Sequence, residues 1–459
     1  MKNISVAIIG GGHAGMTAAI SARLQGAQVT VFEAAPKGLR GGNSSLTKNI
    51  RFPYSDSVEL FYYLGQAERK DPELVRRAAP YTKEQYLRDW LGISGDGVDE
   101  ALVSSIISDG DKAMRWLRRI GHQWTPTSSC LEGALPLDLH GGGAAMQHHN
   151  FTIAEKLGIE FRYATKIETL RRSAAGWTVA RGRTSRRFNA VVIASGGFQA
   201  NQQEISRALG SSWEGVRLRG VRYNDGTVSR SVHAIGAAKA GNWTGCHAVP
   251  YAYDAPPYRL PGQIAEAQAA TRYMYPLGVM VNRNGQRFVD ERSAVGNLTY
   301  AKLGRSILEQ PGKWALQVFA GNEIGKLHEG YRKDSTVVHG DSLEDLEASF
   351  GLPRYSLTRA FADAIQESAS LKHWGLSYGS TMPPFLGLKV ACGLTFTFGG
   401  LQVDRQANIL DEDGQKIPGL FAAGEAVGGI FSENYPGGAG LLAGTVLGLR
   451  AGFGCNTVL

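Results

Sequence analysis

Two glycine-rich stretches at opposite ends of the chain carry residue types from which chemistry can be read. Near the start, "AIIGGGHAG" runs an apolar segment, predicted as a strand over 4–9, into Gly10-Gly11-Gly12-His13-Ala14-Gly15. This is a GxGxxG that ends a strand and opens a predicted helix. Gly10 makes the turn, Gly12 leaves backbone N–H groups open to a pyrophosphate, and Gly15 lets helix close on strand. The helix N-terminus adds about half a positive charge where phosphates would sit. A second strand is predicted over 28–32, with Glu33 at its end, placed to accept both hydroxyls of a ribose, and Ala34 after it. Near the C-terminus, "NYPGGAGLLAG" crowds Gly437, Gly438 and Gly440 ahead of an apolar helix predicted over 439–453, with Tyr435 on the Pro-Gly corner.

Three further loops repeat the pattern. "AAPKGLRGGNSSLT" follows Glu33 and offers Gly41, Gly42, Asn43, Ser44 and Thr47 as a second bare backbone near the same ligand. "VVIASGGF" ends a predicted strand with Ser195 and Gly196, and "GLFAAGEAVGG" ends another with Gly424 and Glu425. A nicotinamide dinucleotide rarely needs the second loop, whereas an isoalloxazine lying flat on backbone does.

In this order the segments resemble the fumarate reductase/succinate dehydrogenase flavoprotein superfamily, over essentially the whole chain. The resemblance implies an α/β fold: a Rossmann-like FAD-binding domain of the glutathione-reductase dinucleotide type with an inserted α+β capping domain. The expected bounds are 1–248 for the first part of the FAD domain (with a helical segment over 55–121), 249–385 for the cap and 386–459 for the second part. The implied cofactor is FAD, held non-covalently. Glu33 would hold the adenosine ribose, with Ile167 near the adenine. Gly41 to Thr47 would line the flavin, Glu425 would meet the ribityl chain or pyrophosphate, and Gly440-Leu441-Leu442 would face the pyrimidine edge.

The chain departs from the dicarboxylate enzymes of that superfamily at three charge-bearing places. Tyr435 stands where they have an arginine that clamps substrate. Thr395 and Phe396 stand where a histidine is expected, and Ile324-Gly325 falls near their general-acid arginine. Fumarate reduction is therefore not expected. "RGGNSSLTKN", "FVDERSAVGNLTYAKLG" and "CGLTFTFGGLQVD" are similar to the tricarballylate dehydrogenase-like branch, and "NYPGGAG" to the 3-ketosteroid dehydrogenase-like branch. The second resemblance implies that Tyr435, with the N–H of Ala439, donates to a substrate carbonyl and so acidifies its α-carbon. A hydride would pass between the β-carbon and flavin N5, giving an FAD-dependent dehydrogenase or reductase of the CH–CH group. Thr395, Glu291 and Tyr300, beside Arg292, complete the expected catalytic set. The alternative is a tricarballylate dehydrogenase-like oxidation of a polycarboxylate, for which Arg272 and Arg292 offer charge. A flavoprotein fold kept as a non-redox binding module is a reading from another class, against which loops 41–47 and 437–442 argue.

The elements that position these loops are strand–turn–helix units at the two ends of the chain. Between them lies a mixed segment with strands expected at "LGVMVN" and "QRFVD" and a Pro/Tyr-rich boundary at 250–262. Cys130, Cys246, Cys392 and Cys455 are scattered without CxxC spacing, so iron–sulfur, covalent haem and zinc sites are not expected, and a reducing cytoplasm is. His13 reads as a spacer, His148-His149 lack a third ligand, and His140 reads as structural. The formal charge of +8 is partly local, in "RRSAAGWTVARGRTSRRF", a predicted surface hairpin, so nucleic acid is not an expected partner. No apolar run of 18 residues suggests a membrane span. With no second GxGxxG for NADPH, the expected partners are a small substrate carrying a carbonyl or carboxylate and an external electron donor or acceptor.

Overall fold

Strand β1 (Ser5–Ile9) and strand β2 (Gln28–Phe32) are apolar runs buried along nearly their whole length. This is the signature of a parallel sheet covered on both faces. Between them α1 (His13–Leu24) makes the crossover, and β1 and β2 pair in parallel from Ser5↔Gln28 to Ile9↔Phe32. The computed structural model describes residues 4–64, 80–126, 137–173, 176–256, 269–292, 296–369 and 382–457. The chain divides into two units. One comprises Met1–Leu209, Gly220–Cys246 and Phe396–Leu459; the other comprises Gly210–Arg219 and His247–Thr395.

In the first unit a six-stranded sheet has the order Asn408–Leu410, Lys416–Ala422, Ala190–Ile193, β1, β2, Glu160–Arg162. All neighbours are parallel except the edge strand Asn408–Leu410. The C-terminal helix Ala439–Gly454 packs on α1 through glycines four residues apart. A Cβ on Gly448 would lie 2.6 Å from the Ala14 carbonyl oxygen, and one on Gly452 would lie 2.5 Å from that of Ala18. The contacts advance together along both helices, so the two run parallel and bring their N-termini to the same end. A second sheet, Thr169–Ser173, Gly176–Arg181 and Thr184–Phe188, contains the basic hairpin, whose Arg186 pairs with Glu160 at 2.6 Å.

The helical stretch expected over 55–121 contains Ser57–Tyr63, Lys83–Ser94, Glu100–Ser108 and Gly110–Arg119. The first three are capped by the side chains of Asp56, Thr82 and Asp99, each of which accepts the N–H three residues on. Residues 65–79 of that stretch lie outside the described residues.

In the second unit the central strand Phe385–Thr397 pairs antiparallel with Trp314–Ala320 and Val338–Gly340 and, at its end, parallel with Arg217–Leu218. Val279–Asn282 extends the sheet beyond Trp314–Ala320. Helices Leu343–Phe350 and Ser356–Ala369 cover it, with Leu346, Leu357, Phe361 and Val318 in one core. "QRFVD" is not a strand, contrary to expectation: only Arg287 bridges, to Val281. Its arginine side chain is turned instead to Glu291, four residues on, at 2.6 Å.

Candidate active site

Four of the glycine loops leave the carboxyl ends of the adjacent parallel strands β1, β2, Ala190–Ile193 and Lys416–Ala422. In open α/β sheets ligands bind at that edge. The glycines there are steric requirements. At Gly10, with φ +107°, a Cβ would sit 2.2 Å from the Ala194 carbonyl oxygen and 3.0 Å from the Ser195 Cα. At Gly15 it would sit 2.0 Å from the Gly10 carbonyl oxygen. At Gly12 nothing comes nearer than the Ser44 hydroxyl, 3.8 Å away, so that position opens towards the loop 41–47. The Ser44 hydroxyl accepts the His13 N–H at 3.1 Å, tying the two loops together.

Glu33 is buried, and its carboxylate accepts the N–H groups of Gly11 at 2.8 Å and Ala35 at 2.7 Å. Burial raises its pKa, against the opposing pull of those N–H groups and that of Ala34. The residue is thus rigidly presented at the end of β2. Ile167 is buried nearby in sequence to the loop that returns from Glu160–Arg162.

The second glycine loop folds as a short 3-10 turn, Gly42–Leu46, entered through Gly41 at φ +114°. The Gly142–Lys156 helix braces it: Gln147 donates to the Gly41 carbonyl at 3.1 Å, and the Gly143 N–H donates to the Thr47 carbonyl at 3.0 Å. The Asn43 amide donates to Glu425 at 3.2 Å and its carbonyl accepts the Val221 N–H at 2.8 Å. Gly424, at φ +72°, turns Glu425 inwards.

Around Gly197 the polar groups converge. A Cβ there would meet the Thr397 hydroxyl at 2.3 Å, Glu425 Oε1 at 2.6 Å and Gln199 Oε1 at 3.0 Å. Glu425 Oε2 accepts from Asn43 and Asn224, but Oε1 and both polar atoms of the buried Gln199 lack hydrogen-bond partners among the described residues. Buried polar atoms left unsatisfied are costly. A polyol chain laid against backbone at Gly197 would satisfy them, and together with the phosphate loop and Glu33 this donor and acceptor set fits FAD. Asn224, Gln199 and Gln147 were not singled out from the sequence, and Gly196 owes its bareness to Asn224, whose amide a Cβ would meet at 2.2 Å.

Burial lifts the Glu425 pKa from 4.5 to about 7. A carboxyl whose folded pKa is raised binds more protons folded than unfolded. Stability of the flavin-free protein therefore falls as pH rises from 4.5 to about 7, by on the order of 3 kcal/mol. Thermal melts of flavin-stripped protein between pH 5 and 8 check this: Glu425→Gln flattens that slope, and a slope unchanged in the variant contradicts it.

His13 is not a spacer. Its ring is buried, with Nε2 2.8 Å from the Thr445 hydroxyl and Nδ1 3.3 Å from the Asn150 amide. His122 bonds the same Asn150 at 2.9 Å. Burial holds His13 and His122 neutral, lowering them to about 3 and about 4. The signal missed was that a polar side chain beside a phosphate loop can point inwards.

Tyr435 is 7 % exposed, boxed edge-on by Phe396 at 5.3 Å and Phe431 at 4.9 Å. Its hydroxyl accepts the Gly440 N–H at 3.1 Å, in the first turn of the C-terminal helix. The phenol is so fixed at the helix N-terminus, whose dipole strengthens it as a donor. The Ala439 N–H, expected to share that task, donates instead to the Pro436 carbonyl at 3.0 Å. Leu441 and Leu442 are buried.

The second unit gathers Thr395 and Tyr300 into one cluster with residues the sequence did not single out. Arg219 donates to the Thr395 hydroxyl at 3.2 Å and its guanidinium lies 6.0 Å from the Tyr273 ring centre. Tyr300 stands edge-to-face to Tyr273 at 5.0 Å and to His247 at 5.2 Å. Glu291 is engaged elsewhere. It is 1 % exposed, with one oxygen 2.6 Å from Arg287 and the other accepting the Met280 N–H at 2.6 Å, so the expected catalytic role gives way to a scaffold role. Arg272 is likewise locked to Asp334 at 2.5 Å, and Arg292 donates to the Pro276 carbonyl at 2.8 Å.

The family described as FAD binding domain matches residues 74–442, and that described as pyridine nucleotide-disulphide oxidoreductase matches residues 4–76. The chain is 24% identical over 476 residues to a probable fumarate reductase of Shewanella frigidimarina, covering 98% of this chain and 74% of the relative. It is 27% identical over 323 residues to a 4-oxocyclohexanecarboxylate 2-dehydrogenase of Sinomonas cyclohexanicum, covering 61% of this chain and 54% of the relative. In fold it is similar to a 3-ketosteroid Δ1-dehydrogenase of Sterolibacterium denitrificans, with a TM-score of 0.75 at 17% identity over the whole of both chains.

Proposed function

The chain belongs to the FAD binding domain family, within the fumarate reductase/succinate dehydrogenase flavoprotein superfamily, and from that premise we propose that it is an FAD-dependent oxidoreductase of a CH–CH or C=C bond next to a carbonyl. The single observation that carries the carbonyl part of this reading is the Tyr435 phenol, held by the Gly440 N–H at a helix N-terminus. FAD, when bound, accepts or returns the hydride. The chain's own residues do the rest. Glu33 and the loops at Gly10–Gly15 and Gly41–Thr47 hold the dinucleotide non-covalently, and Gly197, Gln199 and Glu425 hold its polyol. Tyr435 donates a hydrogen bond to the substrate carbonyl oxygen and so makes the α-carbon proton acidic for dehydrogenation, or polarises the conjugated C=C for ene-reduction.

Thr395 and Tyr300 are substrate-contacting candidates. A neutral phenol suits a ketone or ester carbonyl, where an arginine would suit a carboxylate. The relatives named for ketosteroid and oxocyclohexanecarboxylate dehydrogenation support this over polycarboxylate oxidation. The partners of the reading are thus a small carbonyl or carboxylate substrate and an external electron carrier. Among the described residues no helix is long and apolar enough to cross a membrane, and the scattered cysteines favour a cytoplasmic setting.

Steady-state turnover of enones, enoates and their saturated partners, with an artificial donor or acceptor and products identified by mass, tests the proposal. Conversion of a cyclic enone or its ketone is expected. Conversion of tricarballylate alone would move the assignment to the polycarboxylate branch.

A further inference from the structure

Several buried aromatic side chains of the first unit form a row that starts at Tyr435. Phe431 stands edge-on to Tyr435, ring centres 4.9 Å apart, and lies flat on Trp90 at 5.2 Å with the two planes 4° from parallel. Trp90 and Tyr86, four residues apart on one face of the helix Lys83–Ser94, follow at 5.3 Å, and Tyr81 follows Tyr86 at 5.2 Å. Packing accounts for the rings but not for the polar atoms on them, each of which needs a partner when buried. The partners differ in kind. Trp90 Nε1 donates to the Ile430 carbonyl at 2.9 Å and the Tyr86 hydroxyl to the Arg51 carbonyl at 3.3 Å, and a backbone carbonyl is no base. The Tyr81 hydroxyl donates at 2.8 Å to Asp89, a half-buried carboxylate that can take a proton. The row thus runs from Tyr435 to a proton acceptor, within one unit of the molecule.

We infer that this row is a one-electron path, and that it gives the holoprotein a second activity: reduction of its light-excited flavin by its own aromatic side chains. This rests on the placement of the flavin beside Tyr435 and the turn at Gly440 proposed above. Blue light makes an oxidised flavin a one-electron oxidant strong enough for an indole or a phenol. A flavin in its ground state is not, so the path is silent during turnover in the dark. One electron leaves Trp90 for the excited flavin, across the rings of Phe431 and Tyr435. The hole on the indole cannot settle there by loss of a proton, because Nε1–H faces a carbonyl. It is filled by an electron from Tyr81, across the Tyr86 ring, as the Tyr81 hydroxyl proton passes to Asp89. The balance is one electron gained by the flavin, one lost by Tyr81, and one proton moved from phenol to carboxylate along an existing hydrogen bond. Burial holds both phenols protonated until that step.

The test gives the anaerobic holoprotein a blue laser flash with no added donor. Transient absorption and electron paramagnetic resonance of freeze-trapped samples then follow the radicals. The wild type is expected to show an indole radical that gives way to a longer-lived phenoxyl radical. Tyr81→Phe loses the phenoxyl signal and leaves the indole radical to recombine with the flavin electron. Asp89→Asn does the same, because the amide still accepts a hydrogen bond but takes no proton. Trp90→Phe loses both signals. Turnover of a cyclic enone in the dark is unchanged in Tyr81→Phe and Asp89→Asn, which separates a broken path from a damaged fold. A phenoxyl signal that survives Tyr81→Phe, one that survives Asp89→Asn with its yield intact, or a yellow wild type that gives no indole radical overturns the inference. The flash needs bound flavin but no substrate, so the two readings fail separately. A wild type that converts enones without forming radicals overturns the inference and leaves the proposed function standing; one that forms the radicals and converts no substrate does the reverse.

Discussion

Replacing Tyr435 with phenylalanine lowers turnover about 10²- to 10³-fold while the protein stays folded and yellow. The ring is kept, and with it the edge contacts to Phe396 and Phe431. What goes is one hydroxyl, which does two things. It accepts the Gly440 N–H, and in the proposed reaction it donates to the substrate carbonyl oxygen. The first loss costs about 1 kcal/mol of stability, because that N–H belongs to a helix terminus that water can reach in part. The second removes a donor aimed at developing charge on the carbonyl oxygen, for which about 3–4 kcal/mol of barrier is typical. The two effects separate cleanly. Flavin content and Tm move little, whereas the rate of flavin reduction by substrate in a stopped-flow experiment falls by the larger factor. A change of less than about threefold would leave Tyr435 as a packing and capping residue and remove carbonyl activation from the account.

Replacing Gly10 with alanine is expected to give a colourless protein in low yield. Two costs combine at that position. Its φ of +107° is one that a side chain resists, by about 1–2 kcal/mol, and the Cβ would lie 2.2 Å from a carbonyl oxygen of Ala194. The obstacle is backbone of the neighbouring strand's exit, which cannot rotate away as a side chain could. Overpacking of this kind adds about 1–3 kcal/mol. The sum, about 3 kcal/mol or more, is a large part of the 5–15 kcal/mol that holds a domain together. Any relaxation would also displace the N–H groups that meet the pyrophosphate. Gly182 is the control. Its φ is +53° but a Cβ there meets nothing within 4 Å, so Gly182→Ala costs about 1 kcal/mol and leaves FAD bound. Melting temperature and the visible flavin absorbance of both variants decide the matter; a yellow Gly10→Ala protein would mean that the loop does not need its present path.

The glycine loops were legible because their reason is local: a strand, a turn that only glycine makes, and a helix occur within a dozen residues. Glu33 was legible for the same reason. The groups that complete the cradle, and those of the second unit's cluster, were not, because their partners are far away in sequence. Asn224 reaches Glu425 across 201 positions, and Arg219 reaches Thr395 across 176. Nothing in the types or spacing of "VRLRGVRYND" distinguishes an arginine that meets a hydroxyl from one that faces water. Burial was the other blind spot. The Arg287–Glu291 pair has the four-residue spacing of a local ion pair, yet Glu291 reads as catalytic until its 1 % exposure and its bond to the Met280 N–H are known. His13 was misread for the opposite reason, since its neighbours in sequence are loop glycines while its neighbours in space are Thr445 and Asn150.

The measurement that bears most directly on the central claim is a single turnover without any external carrier. The purified holoprotein is reduced anaerobically by one equivalent of dithionite and then mixed with a cyclic enone, while its flavin spectrum is followed. The account predicts that the oxidised spectrum returns with one equivalent of saturated ketone formed, and does so about 10²-fold more slowly in Tyr435→Phe. A flavin that stays reduced with every enone and enoate, and an oxidised flavin that no saturated partner bleaches, would contradict it.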